Sequence, residues 1–217
     1  NIIVDMPHAI EIQPTGPLRA TIRPPGSKSI TNRALVCAAL ADGESILSGS
    51  LDSEDTRVMI ESLRQLGIAV QHDPAATTVR VVGCGGRLPA KEADLYVANS
   101  GTTVRFLTAM LALGQGTYRL DGTPRMRQRP VGDLLETLRQ LGADAASEAG
   151  TNCPPVVVRA RGLSGGRATI AGDISSQFLS GLLMASPYAK ADVELVVRGG
   201  LVSKPYVEMT LAVMKSF

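Results

Sequence analysis

The chain repeats itself at Glu61-Ser-Leu-Arg-Gln-Leu-Gly67 and Glu136-Thr-Leu-Arg-Gln-Leu-Gly142, two stretches that differ only at their second residue and lie 75 positions apart, from 61 to 136. In each stretch the apolar residues recur at helical spacing, and a glycine stands where a helix C-cap belongs. The repeat therefore predicts two equivalent helices that end at Gly67 and Gly142.

Other matching segments surround these helices. Apolar, helix-like runs follow a small polar cluster in three places, and each run leads to a strand-like segment that ends in glycine. Runs of β-branched residues, typical of strands, follow the two repeated helices. The helix-like runs are Asn32–Leu40, Thr103–Leu111 and Gln177–Met184; the strand-like segments are Ser45–Gly49, Thr117–Gly122 and Val193–Gly199; the β-branched runs are Thr77–Gly83 and Pro155–Arg159.

The repeating unit is a module of about 70–75 residues in which helices and strands alternate. It is longer than the roughly 20–50 residues of a solenoid repeat, which favours an α/β (α+β) fold built from three modules. The third copy reaches its second helix, Tyr206–Phe217, and the sequence ends there without a closing glycine or a last strand. We therefore expect a piece of a longer polypeptide, with apolar surface left on that helix and self-association or partial disorder near the C-terminus. A degenerate third repeat is the alternative.

Bulk composition excludes several classes of protein. The chain has 217 residues, of which 44% are apolar and 3% aromatic, with 22 Lys plus Arg against 20 Asp plus Glu. These values are typical of a globular domain and argue against a disulfide scaffold, a collagen or a disordered chain. A net charge of +2 favours neither a nucleic-acid binder nor a membrane binder, so any anion site must be local.

The cysteines and histidines do not form a metal-ligand pattern. Cys37, Cys84 and Cys153 lack C-x-x-C spacing and lie in or beside apolar stretches, as buried thiols of a reducing compartment do. His8 and His72 lie at no ligand spacing from a cysteine or from each other, so we expect no metal.

No apolar run approaches the roughly 18–20 residues of a membrane span, and no signal-peptide pattern opens the sequence. We expect a cytoplasmic protein.

An anion site is indicated by Arg23-Pro-Pro-Gly-Ser-Lys-Ser-Ile-Thr-Asn-Arg33. Ser27 or Ser29 can cap the helix that follows, and Lys28 and Arg33 stand beside its free amides. A Walker A loop is excluded, because it requires Gly where Ser27 precedes Lys28. Similar starts precede the other two apolar runs, at Asn99–Thr102 and Asp173–Gln177, so we expect three helix starts to converge on one pocket. Taken singly, each is explained equally well as a capped surface helix.

Two more segments are candidates for binding anions. Arg125-Met-Arg-Gln-Arg129, if extended, places three guanidiniums on one side, as a clamp for a carboxylate or phosphate would need. A solvated basic loop or a nucleic-acid patch is the alternative, although few aromatics are available for base stacking. Leu201-Val-Ser-Lys-Pro-Tyr206 places Ser203 and Tyr206 at the turn into the last helix, where a simple helix cap with Pro205 in the first turn is the other interpretation.

Together these motifs closely resemble, in the same order, those of the 5-enolpyruvylshikimate-3-phosphate synthase family. The resemblance runs over nearly the whole chain and separates it from the sister UDP-N-acetylglucosamine enolpyruvyl transferases. It implies transfer of the enolpyruvyl group of phosphoenolpyruvate to the 5-hydroxyl of shikimate 3-phosphate, with release of phosphate, on the route to aromatic amino acids. The motifs are Pro25–Arg33, Asn99–Thr102, Pro124-Arg-Met-Arg-Gln-Arg-Pro130, Ser175–Leu179 and Leu201–Tyr206.

The resemblance also implies roles for individual residues and no cofactor. Lys28 is expected to contact both substrates and to serve as the acid or electrostatic catalyst of this segment, and Gln177 to touch both ligands. The residues expected to hold phosphoenolpyruvate are Gly101 and Arg129; those expected to hold shikimate 3-phosphate are Ser29, Arg33, Ser175, Ser176, Ser203 and Tyr206.

The family architecture is two similar domains, each of three βαβαββ units, closing on the substrates. The resemblance assigns residues 1–22 to the crossover with a second domain and 23–217 to the N-terminal domain, with units at about 23–95, 96–166 and a truncated 167–217. The second domain supplies the acidic catalytic residues, so we expect the C-terminal half as a partner and this chain alone to be inactive.

Phe106 replaces a proline common in the family, so affinity for glyphosate is expected to differ. A noncatalytic anion-binding or RNA-binding module with the same repeat, as in RNA 3′-phosphate cyclase, is the competing hypothesis.

Overall fold

The computed structural model describes residues 11, 13–14, 16–173 and 175–217, in which helices and strands alternate along the chain. The helices are α1 (Lys28–Leu40), α2 (Glu54–Gln65), α3 (Gly101–Leu111), α4 (Gly132–Gln140), α5 (Ser176–Ala185) and α6 (Lys204–Met214). The strands are β1 (Glu44–Ser48), β2 (Ala69–Asp73), β3 (Thr78–Val82), β4 (Glu92–Tyr96), β5 (Gln115–Asp121), β6 (Asp144–Ser147), β7 (Val156–Arg161), β8 (Gly166–Ala171) and β9 (Val193–Arg198).

The three helix-like runs of the sequence form the buried centre as α1, α3 and α5. Helix α3 packs against both α1 and α5, and α6 covers α1 and α5. Phe106, Leu107 and Met110 of α3 have no exposed surface. A helix that is apolar on most of its circumference must be enclosed by other elements, and α3 meets that requirement at the middle of the molecule. Its N-terminus consequently lies between the starts of neighbouring helices.

Three sheets surround these helices. In the first, β3 lies between β1 and β2 and is antiparallel to both. In the second, β5 lies between β4, which is parallel to it, and β7, which is antiparallel, with β6 at the outer edge. In the third, β8 and β9 form a parallel pair.

The order of elements confirms the expected α/β class and its repeat. The middle unit reads β4-α3-β5-α4-β6-β7, which is the βαβαββ pattern in full. The first reads α1-β1-α2-β2-β3 and the third β8-α5-β9-α6 within the described residues. The unit boundaries near 95 and 166 stay predictions. So does the crossover segment at 1–22, of which residues 1–10, 12 and 15 lie outside the described part.

The two repeated helices end as predicted. Gly67 follows α2 with φ +82° and Gly142 follows α4 with φ +87°, the left-handed conformation that glycine adopts without strain. The expectation that both stretches end at a glycine C-cap is confirmed.

The described thiols and helices add two observations. Cys37, Cys84 and Cys153 are unpaired; Cys37 is buried, whereas the other two are partly exposed, so the expectation of burial is confirmed only for Cys37. Among the residues described, no helix has the length and apolar content needed to cross a bilayer.

Candidate active site

The start of α1 has the geometry of an anion site. Ser27 is the N-cap, and its hydroxyl accepts a hydrogen bond from the Ile30 amide at 3.4 Å, which decides between the two serines proposed as caps. A Cβ at Gly26 would overlap the carbonyl oxygen of Gly49, so only glycine permits this close approach of the two loops. Lys28 follows with its side chain 47% exposed. The free amides and the ammonium group are therefore presented on one surface.

Asp55 connects the start of α1 to the start of α3. Its Oδ2 lies 3.2 Å from the Lys28 Nζ and accepts a hydrogen bond from the Ser100 hydroxyl at 3.0 Å. Ser100 is the N-cap of α3 and accepts the Thr103 amide at 3.3 Å. Asp55 could not be singled out from the sequence, because an acidic residue in the first turn of a helix is a common stabilising feature and carries no functional signal.

Two guanidiniums converge on the first residue of α3. A Cβ built on Gly101 would lie 2.7 Å from the Arg129 Nη1 and 3.0 Å from the Arg105 Nη1. Arg129 donates to the Asn99 carbonyl at 2.9 Å. Neither arginine has a carboxylate within 4 Å among the residues described. The two guanidiniums thus occupy the space that a side chain at residue 101 would fill and place two positive charges at the N-terminus of α3, an arrangement that attracts an anion.

Arg105 joins the start of α3 to the start of α5. Its Nη1 donates to the Gln177 Oε1 at 2.6 Å, and its guanidinium lies 5.2 Å from the centre of the Phe178 ring. Burial, and secondarily the neighbouring positive charge of Arg129, lowers the pKa of Arg105 to about 10. Ser175 caps α5 by accepting the Gln177 amide at 3.3 Å, and Ser176 is buried beside it.

Arg33 lies inside the helical core. Only 1% of its surface is exposed, and burial lowers the pKa of its guanidinium. Its hydrogen-bond acceptors are the Thr210 hydroxyl at 2.6 Å, the Ser29 carbonyl at 2.8 Å, the Ser180 hydroxyl at 3.2 Å and the Tyr206 carbonyl at 3.4 Å. The sequence placed Arg33 beside the helix start; the structure directs it from α1 to α5 and α6.

Aromatic rings enclose the same guanidinium. Its Cζ lies 5.2 Å from the ring centre of Phe106 and 5.8 Å from that of Tyr206. Phe106 is fully buried and packs directly on Arg33. Tyr206 is 45% exposed, and Ser203, in the left-handed region with φ +55°, is exposed at the turn before α6.

The three-arginine clamp predicted for residues 125–129 is wrong. Met126–Gln128 form a turn of 3₁₀-helix whose buried anchor is Met126, so the side chains do not alternate as on a strand. Arg127 pairs with Asp121 at 2.6 Å, and Arg125 donates to Gln128 at 3.1 Å. Of the three, Arg129 alone turns toward Gly101.

Comparison with known proteins identifies the family of this chain. The family model described as EPSP synthase (3-phosphoshikimate 1-carboxyvinyltransferase) matches residues 12–217. The chain belongs to the EPSP synthase family. A 3-phosphoshikimate 1-carboxyvinyltransferase of Shewanella piezotolerans is 49% identical over 209 residues, and a chloroplastic one of Brassica napus is 47% identical over 216 residues.

The likeness extends to a solved structure and covers half of the relatives. An EPSP synthase from Acinetobacter baumannii superposes with a TM-score of 0.74 at 26% identity, over 85% of this chain and 41% of that one. The two sequence relatives are matched over 96% of this chain but only 49% and 42% of their own lengths. The chain therefore spans about half the length of the EPSP synthases that it matches.

Proposed function

We propose that this chain is the N-terminal portion of an enzyme that transfers the enolpyruvyl group of phosphoenolpyruvate to the 5-hydroxyl of shikimate 3-phosphate and releases phosphate. The observation that carries the proposal is the convergence of Arg105 and Arg129 on the helix start at Gly101, in a chain of the EPSP synthase family. Both substrates carry phosphate and carboxylate groups, which such a site attracts.

The remaining assignments divide the site between the two substrates. Lys28 contacts both, at the surface where α1 and α3 begin, and Gln177 contacts both from the start of α5. Phosphoenolpyruvate is assigned to Gly101 and Arg129; shikimate 3-phosphate is assigned to Ser29, Arg33, Ser175, Ser176, Ser203 and Tyr206. For Arg33 the buried position supports contact through its neighbours, the partly buried Ser29 and the exposed Tyr206, more than through its own guanidinium.

The chemistry needs proton transfers and stabilisation of a tetrahedral intermediate, because the alcohol adds to the double bond of an enol phosphate and phosphate is then eliminated to leave an enol ether. Lys28 is the group that this half contributes, held by its ion pair with Asp55. We assign the acidic catalytic residues to the C-terminal half of the enzyme, which is the partner this chain requires.

Binding by the chain tests the first part of the proposal. A ligand that binds only the native state raises its melting temperature. Shikimate 3-phosphate at millimolar concentration should do so, Lys28→Ala should abolish the shift, and Arg64→Ala, at the far end of α2, should leave it unchanged. Stabilisation by RNA and not by shikimate 3-phosphate would favour the noncatalytic module instead.

Turnover tests the second part. The isolated chain mixed with both substrates should release no phosphate, and addition of the C-terminal half of a relative should restore release. Clear turnover by the chain alone would contradict the assignment of the acid–base groups to the other half.

We also propose a cytoplasmic location. Unpaired Cys37, Cys84 and Cys153 support it, since thiols persist in reducing compartments. Alkylation of the partly exposed Cys84 and Cys153 in intact cells, read by mass spectrometry, tests it.

A further inference from the structure

We propose that Arg105 is a positioning residue of the substrate site, which acts by holding the Gln177 side chain so that its amide NH2 group faces the ligands. The inference rests on the proposed function and extends it to a residue to which the family resemblance assigned no role.

The orientation of Gln177 follows from hydrogen-bond chemistry. An arginine offers only donors, so the atom facing the Arg105 Nη1 at 2.6 Å must be the Gln177 oxygen. The opposite end of the amide is then the NH2 group, which carries two donors. A ligand phosphate or carboxylate accepts hydrogen bonds and is repelled by an oxygen. Without Arg105 the amide is free to rotate and present that oxygen to the anion.

The guanidinium itself is held in place by α3 and α5. It lies 5.2 Å from the ring centre of Phe178, the residue that follows Gln177. The Nε atom of Arg105 is buried and has no hydrogen-bond partner within the described ranges. The hydrogen bond from Nη1 to Gln177 is therefore the most direct side-chain contact of the guanidinium. The stacking and the hydrogen bond together keep Arg105 and Gln177 in one mutual arrangement.

The position of Arg105 relative to Arg129 connects this pair to the anion site. Both Nη1 atoms lie within 3.0 Å of the position that a Cβ on Gly101 would occupy. Two cations so close repel each other, and a bound anion relieves that repulsion. Arg105 therefore contributes positive potential to the phosphoenolpyruvate end of the site while it orients the Gln177 donors toward both ligands.

Gln177→Glu is the decisive variant. The carboxylate keeps the contact with Arg105 as an ion pair, so the melting temperature of the free chain should not fall. The group that faces the ligands, however, is then a carboxylate oxygen in place of the amide NH2 group. Calorimetric affinity for shikimate 3-phosphate and for phosphoenolpyruvate should then fall about tenfold to a hundredfold, the range for a lost hydrogen bond to a charged group. A purely structural contact would leave both affinities unchanged.

Arg105→Met tests the positioning directly. It should weaken affinity for shikimate 3-phosphate, and combining it with Gln177→Met should add little for that ligand, because the two side chains act as one unit. Affinity for phosphoenolpyruvate should fall further, because the positive charge beside Gly101 is lost as well. Arg105→Lys, which keeps a donor and the charge, should recover part of the loss. The matched control is Arg125→Met, which breaks an exposed Arg–Gln contact of 3.1 Å to Gln128 and should change neither affinity.

The outcomes separate the inference from the proposed function. If the unaltered chain binds neither substrate, the proposed function is contradicted and the inference falls with it. If the unaltered chain binds them and both Gln177→Glu and Arg105→Met bind equally well, the positioning role alone is overturned.

Discussion

At the scale of single residues, Arg33 is a charge enclosed by protein. It donates to two hydroxyls and two carbonyls and lies between two aromatic rings. Arg33→Met would remove these four hydrogen bonds, so we expect a loss of about 3 kcal/mol or more in the free energy of unfolding. Urea denaturation measures it. Lys28→Ala, at an exposed position, should cost much less, and equal losses would contradict the structural role of Arg33.

Cys37 provides a prediction that depends on pH. Burial raises the pKa of its thiol to about 12, so it stays protonated in the folded chain under conditions in which an unfolded cysteine, with a pKa near 9, ionises. Because the folded state holds this proton more tightly, stability should fall as the pH rises from about 9 toward 12. At pH 8, iodoacetamide should modify the partly exposed Cys153 well before Cys37, as mass spectrometry would show. Equal rates in the folded chain would be inconsistent with this burial.

At the scale of elements, the helix starts are joined by more than their caps. Ser100 caps α3 and also donates to Asp55, which pairs with Lys28. Ser100→Ala should therefore cost about 0.5–2 kcal/mol in stability, the usual value of a cap, and should also weaken binding of shikimate 3-phosphate by loosening Lys28. Ser53→Ala, which removes the cap of α2, is the matched control and should affect stability alone. Equal losses of affinity in the Ser100→Ala and Ser53→Ala variants would mean that the hydrogen bond from Ser100 to Asp55 contributes nothing to binding.

Across the three described sheets, the strands differ in how many neighbouring strands they pair with. β5 is flanked by β4 and β7, and β3 by β1 and β2, whereas β9 pairs only with β8 among the described strands. Amides without a ladder partner exchange readily with solvent. Hydrogen exchange should therefore be faster at Val193–Arg198 than at Gln115–Asp121, and a C-terminal half that pairs with β9 should slow it. Equal protection of the two strands in the isolated chain would contradict the pairing described.

Much of this fold was predictable because it depends on local interactions. The repeated stretches ending at Gly67 and Gly142, the serine caps and the three apolar helices each involve groups within about one helical turn of one another. The prediction failed at Arg125–Arg129, where alternation was assumed and a buried Met126 instead closes a turn.

The three-module repeat, the polar helix starts and the family to which they point can be read from the residues alone. Which side chains meet follows only from the packing of the folded chain: Lys28 meets Asp55, Arg105 meets Gln177, and Arg33 meets Thr210, which is 177 positions away. These contacts depend on how separate modules pack around α3, and periodicity within one module carries no information about its neighbours. Arg33, which the sequence places beside the free amides of a helix start, is for this reason found in the core.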